Sequence, residues 1–187
     1  EIAINRPLAP QIYRGVVAIT READGSLLIG GNGTPVEWAV EMRRFDETQT
    51  LDHLAEAGRI DAALADAIGR AVAAAHAVAP VVAFEQWIAA LGSYVEEHTV
   101  TFGQMPELFP AAANAALARA GHDAFARLVP LLVERGRQGL IRRVHGDLHL
   151  GNIVLIDGRP VLFDAIEFSP LIASGDVLYD LAFVLMD

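Results

Sequence analysis

An α+β fold is predicted for this chain by three observations. Residues 13–45 carry β-branched and alternating apolar patterns, residues 48–135 carry helical periodicity, and residues 144–164 form a polar loop followed by two short apolar runs around Asp157-Gly158. With 187 residues and 53% apolar content the chain can bury a sizeable core, as one domain or two small lobes.

Composition narrows the function classes. A net charge of −10 without a basic cluster argues against nucleic acid or an anionic membrane as partner, because both need positive surface to displace counterions. A cationic small molecule is compatible with it. No apolar run approaches the roughly 20 residues that span a bilayer, and the run from Val177 to Met186 is interrupted by Asp180. The absence of cysteine excludes a disulfide framework and thiolate metal sites, so a cytoplasmic protein is expected by elimination.

Taken in order, residues 1–9 read as the end of a helix, with Pro7 closing it. Tyr13 to Arg21 and Leu27 to Ile29 read as a hairpin across the turn Ala23-Asp24-Gly25-Ser26. The glycine run Gly30-Gly31-Asn32-Gly33 lacks the spacing of a phosphate cradle and is read as a loop. Val36, Trp38, Val40 and Met42 alternate with charged or small residues, which predicts a strand with one buried face. Leu51, Leu54 and Ala55 predict a short helix capped by Gly58, and Asp61 opens a longer one that ends at Pro80. His76, near the apolar stripe of that helix, is expected to be a core histidine satisfied by a neighbour. Further helices are predicted over 84–98, 111–119 and 122–135, with Gly121 separating the last two and Pro130 kinking the third.

The chemistry is concentrated near the end. Asp-Gly favours a two-residue turn with positive φ at both positions, so residues 153–163 predict a hairpin that sets Asn152 and Asp164 at one end, with Asp147 one short loop away. One acid to orient a hydroxyl, and an amide and a second acid to hold a hard cation, is what phosphoryl transfer from a nucleotide requires. Asp176 and Asp180 lie four apart in an otherwise apolar helix, where a carboxylate must be hydrogen-bonded to be tolerated.

The string VHGDLHLGNIVLIDGRPVLFDAIEF, with DVLYDLAF after it, resembles the aminoglycoside phosphotransferase-like branch of the protein-kinase-like superfamily, whose loop reads His-Gly-Asp-x-x-x-x-Asn. The likeness is closest to bacterial proteins that fuse such a domain to a C-terminal P-loop kinase domain. It implies a two-lobed fold lacking its first strands, with residues 1–46 the remnant of the N-lobe and 47–187 a mostly helical C-lobe carrying the catalytic hairpin. It implies Asp147 as the acid that orients the acceptor hydroxyl, His149 as a residue touching the transferred phosphate, and Asn152 and Asp164 as Mg2+ ligands. ATP or GTP would be the donor and a small molecule the acceptor. Glu1, four residues before Asn5, matches a helix glutamate that pairs with a phosphate-gripping lysine, and residues 42–45, with Met42 and Arg44, match the hinge that meets the base. His145 is expected to brace the loop. Asp176, with Asp180 as alternative, is expected to accept hydrogen bonds from the loop backbone, and Glu167 is a further candidate ligand.

One departure stands against full activity: all fourteen basic residues are arginine, so the gripping lysine is not among these residues. A degenerate nucleotide-binding or interaction module is the alternative this leaves. A third reading takes the alternating His145, Asp147 and His149 as ligands of a transition metal in a hydrolase.

Overall fold

A computed structural model describes residues 1–187. A short helix α1 (Ile2–Asn5) leads into an antiparallel sheet of β1 (Tyr13–Arg21), β2 (Leu27–Ile29) and β3 (Thr34–Met42) in the order β2-β1-β3. Four helices follow: α2 (Leu51–Glu56), α3 (Ala62–Val78), α4 (Phe84–Gly103) and α5 (Ala111–Arg137). The remaining elements are β4 (Ile141–Arg143), the hairpin β5 (Ile153–Ile156) and β6 (Arg159–Leu162), then β7 (Ser174–Asp176) and α6 (Val177–Met186), with β4 pairing β7. None of the helices is long and apolar enough to cross a membrane.

The local signals explain the boundaries. The helix α2 ends in a Schellman motif, with Arg59 N–H donating to Leu54 O (2.8 Å), Gly58 N–H to Ala55 O (2.9 Å) and Gly58 at φ 65°. Asp61 caps α3 by accepting from Leu64 N–H at 2.8 Å. Asp157 and Gly158 take φ values of 51° and 72°, the turn a two-residue hairpin needs, and Ile153 pairs with Leu162 and Val154 with Val161.

That register places the hairpin at the centre of the core. Ile153 and Leu162 share one face and pack with Leu51, Leu54, Ile68 and Val72 of the helices. Val154 and Val161 share the other and pack with Ala9, Ile12 and Tyr13. Both faces are covered, which is why β5 reads as a continuous apolar run instead of an alternating one. A third cluster joins Trp87 and Ile88 of α4 to Ile141 of β4.

Three expectations are corrected here. Residues 111–137 form one helix, not two, and α4 continues to Gly103. Gly121 is an interhelical contact and not a break: a Cβ there would sit 3.2 Å from Val95 Cγ1, and one on Gly92 would sit 2.9 Å from Phe125 Cε1. The glycines let α4 and α5 approach closely, and that packing outweighs the roughly 1 kcal/mol each costs in a helix. Third, the Val36, Trp38, Val40 alternation does not mark a buried face. Val16 pairs with Val40 and Ala18 with Trp38, and this side of the sheet is open, with Trp38 61% exposed. Alternation shows that a face is apolar; whether anything covers it is a matter of tertiary packing.

The tightest of the helix contacts yields a prediction. A Cβ on Gly136 would lie 2.2 Å from Phe84 Cγ, so Gly136→Ala is expected to cost about 1–3 kcal/mol in urea unfolding. A neutral result would show that the ring of Phe84 yields freely.

Candidate active site

The loop between β4 and β5 is held from below by α6. Asp180, 1% exposed, accepts from Gly146 N–H at 3.0 Å through Oδ1 and meets His76 Nε2 at 2.8 Å through Oδ2. Seven residues on, Asp187 accepts from Leu150 N–H at 2.9 Å. The two carboxylates, two helical turns apart, therefore fix the loop on either side of Asp147. Gly146 takes φ 83°, and a Cβ there would sit 2.9 Å from Ala173 Cα, so both the conformation and the space call for glycine.

This corrects the assignment of Asp176. It touches no part of the loop; it forms a bidentate pair with Arg135, at 2.5 and 2.7 Å, and caps α6 by accepting from Leu178 N–H at 2.8 Å. The pairing holds the Arg135 guanidinium above its usual pKa. Asp180, one turn further along, fills the role expected of Asp176. His76 proves to be a core histidine satisfied by that same acid, as its position in α3 suggests.

Within the loop the side chains orient one another. Asn152 Nδ2 donates to the backbone oxygen of Asp147 at 2.9 Å and to its Oδ2 at 3.3 Å. Both amide hydrogens face Asp147, which leaves Asn152 Oδ1 as a free acceptor. His149 accepts from Gly151 N–H through Nδ1 at 3.1 Å, so its proton is on Nε2, 3.6 Å from Asp147 Oδ2. His145, 4% exposed, donates from Nε2 to Phe163 O at 2.8 Å, and burial lowers its pKa and keeps it neutral. It spans from the loop to the strand that carries Asp164.

Asp164 lies just beyond β6, where Phe163 N–H donates to Asn152 O at 3.0 Å, so the acid and the amide stand at the same end of the hairpin. Its φ is 63°, a left-handed conformation uncommon for a residue with a side chain. Nearby, Glu1 is raised in pKa, by burial first and then by the Glu167 carboxyl facing it. Asp147, His149 and Asn152 thus meet at the end of the hairpin where Asp164 leaves β6, and Glu1 and Glu167 face each other. Met42 is the strand partner of Tyr13. Met42 ends β3, and Arg44 lines a cavity of about 200 Å3 beside Asp157, at the turn end.

A model of the phosphotransferase enzyme family matches residues 16–187. The chain belongs to this family. Uncharacterised proteins of Mycobacterium bovis and Mycobacterium tuberculosis are 26% identical to it over 191 residues, a match covering all of this chain and 36% of theirs. The chain therefore spans about a third of the length of these curated relatives. No solved structure gives a match.

For a member of this phosphotransferase family, the donor set at the hairpin suits a hard cation held jointly with phosphates. Asn152 Oδ1 is uncommitted and the Asp164 carboxylate accepts no hydrogen bond from the chain, and magnesium is commonly bound by one or two carboxylates plus phosphate oxygens. No three His, Asp or Glu side chains converge as a metal cage. The hydrolase reading would need His145, Asp147 and His149 to form such a group, and they do not.

Sequence reasoning missed Asp187, and it gave Asn5 and Tyr13 no role of their own.

Proposed function

We propose that this domain transfers the γ-phosphoryl group of ATP or GTP to a hydroxyl of a small molecule, with Mg2+. The observation that carries the reading is the convergence of Asp147, Asn152 and Asp164 at one end of a buried hairpin, with the Asn152 amide turned so that its hydrogens fix Asp147 and its oxygen stays free. Asp147, half-exposed, would accept a hydrogen bond from the acceptor hydroxyl and take its proton as the oxygen attacks. His149 Nε2–H, beside it, would donate to the transferred phosphate. Asn152 and Asp164 would hold the metal, which supplies charge neutralisation on the phosphates when bound. Glu1 would face the phosphate-gripping group, and the segment from Met42 to Arg44 would border the base.

In this reading residues 1–46 belong to a small lobe and 47–187 to the lobe that carries the loop. The full-length protein would be cytoplasmic and would include a further domain, for which a P-loop kinase is the candidate; the 36% coverage of the mycobacterial relatives leaves room for one. The lack of lysine among these residues favours a second reading, a module that binds nucleotide without turnover.

Calorimetric titration of ADP with Mg2+, on this chain and on the full-length protein, separates these. Binding that depends on Mg2+ and is lost in Asp164→Ala, together with ATP consumption by the full-length protein, is the expected result. Binding without turnover supports the second reading, and full-length protein that binds no nucleotide refutes both.

A further inference from the structure

Asp164 is the one site residue whose backbone is out of the ordinary, and its surroundings show why it stays so. A left-handed conformation costs a side-chain-bearing residue free energy, and it persists where the neighbouring structure over-determines it. Around Asp164 nearly every backbone polar group is engaged. Phe163 N–H donates to Asn152 O at 3.0 Å and Ile166 N–H to His145 O at 2.9 Å, both within the catalytic unit. Between them, the bonds come from the other end of the sequence. Asp164 N–H donates to Tyr13 Oη at 3.1 Å, Ala165 N–H to Asn5 Oδ1 at 2.7 Å, and Asn5 Nδ2 to Ala165 O at 3.0 Å.

Both partners are expensive to bury for packing alone. Asn5 is 0% exposed and Tyr13 1% exposed. An amide desolvated this way costs several kcal/mol by transfer scales unless both of its ends are satisfied, and a leucine would fill the same space without that demand. Asn5 meets the demand with one residue, gripping Ala165 on its N–H and its C=O together. The Asp164 carboxylate takes part in none of these bonds, so the grip fixes the backbone and leaves the side chain to a ligand.

The geometry points to Asn5 and Tyr13 as positioning residues that lock Asp164 in its left-handed conformation and thereby aim its carboxylate at the metal. This rests on the phosphotransferase reading of Asp164. It adds a coupling: Asn5 lies one turn after Glu1 on α1, with Asn5 Nδ2 3.4 Å from Glu1 Oε1, so a shift of α1 moves the Glu1 carboxyl and loosens Asp164 together.

The test uses full-length protein with Tyr13→Phe, which removes a single oxygen, and Asn5→Leu. Three quantities are measured: the Mg2+ concentration for half-maximal ADP binding, the metal-free ADP affinity, and amide exchange at Asp164 and Ala165. Tyr13→Phe is expected to raise the half-saturating Mg2+ about fivefold, the factor that one neutral hydrogen bond is worth, and Asn5→Leu to raise it further. Metal-free ADP affinity should not move, whereas a merely structural defect would lower it too. Exchange at the two amides should accelerate in both variants. Unchanged Mg2+ dependence in both variants overturns the proposal, as does an equal loss of metal-free affinity. Wild-type protein without Mg2+-dependent ADP binding sinks the phosphotransferase reading instead. In that event the clamp is judged by exchange alone, and amides unprotected in the wild type and indifferent to Tyr13→Phe reject it.

Discussion

Asp147→Asn is expected to lower kcat by about a thousandfold, within the 10²–10⁴ range that a positioned acid or base contributes, while ADP and Mg2+ bind as before. The substitution is close to isosteric. The hydrogen bond from Asn152 Nδ2 to the backbone oxygen of residue 147 does not involve the side chain and survives, so the loop keeps its shape. What is lost is the carboxylate that accepts the acceptor's proton and that lies 3.6 Å from His149 Nε2. The measurement is ATP consumption by full-length protein against a panel of hydroxyl acceptors, with ADP titrations alongside. A kcat within tenfold of wild type would remove Asp147 from the reaction. Loss of nucleotide binding in step with kcat would mean that it acts as a loop residue only.

The second large effect concerns the acid beneath the loop. Asp180→Ala is expected to destabilise the fold by about 3–5 kcal/mol, the cost of removing one partner from a buried polar pair, and to lower kcat as well. The carboxylate is 1% exposed and serves two groups that have no other partner for the same bond, Gly146 N–H and His76 Nε2. Asp176→Ala supplies the contrast. It removes the Arg135 pair and the cap of α6, so stability should fall, yet no bond to the loop is lost and kcat per folded molecule should hold. Chemical denaturation gives the stabilities, and kinetics at a temperature where both variants are folded give the rates. If Asp176→Ala lowers kcat as much as Asp180→Ala does, the separation of their roles is wrong.

That pair illustrates where the sequence is sufficient and where it stops. Two acids four apart in an apolar helix can be read as paired groups from burial cost alone, but they share a face, and spacing does not choose between them. The choice is made by Arg135, 41 residues upstream of Asp176, and by Gly146, 34 residues upstream of Asp180. Gly121 is a similar case. A glycine in a helical pattern signals a break by its backbone entropy, and only the approach of Val95 from another helix shows that it is there for space.

The hairpin around Asp157-Gly158, the Gly58 and Asp61 caps, the long helix α3 and the convergence of Asn152 with Asp164 follow from the sequence. Each depends on φ preferences and hydrogen bonds within a few residues, and those act the same way wherever the segment sits. The tertiary structure alone decided that Asp164 is left-handed and gripped by Asn5 and Tyr13, that Asp180 and Asp187 carry the loop, and that the Trp38 face of the sheet lies open. Those outcomes belong to partners 34 to 160 residues apart, or to how the faces of a sheet are covered, and local preference holds no information about either.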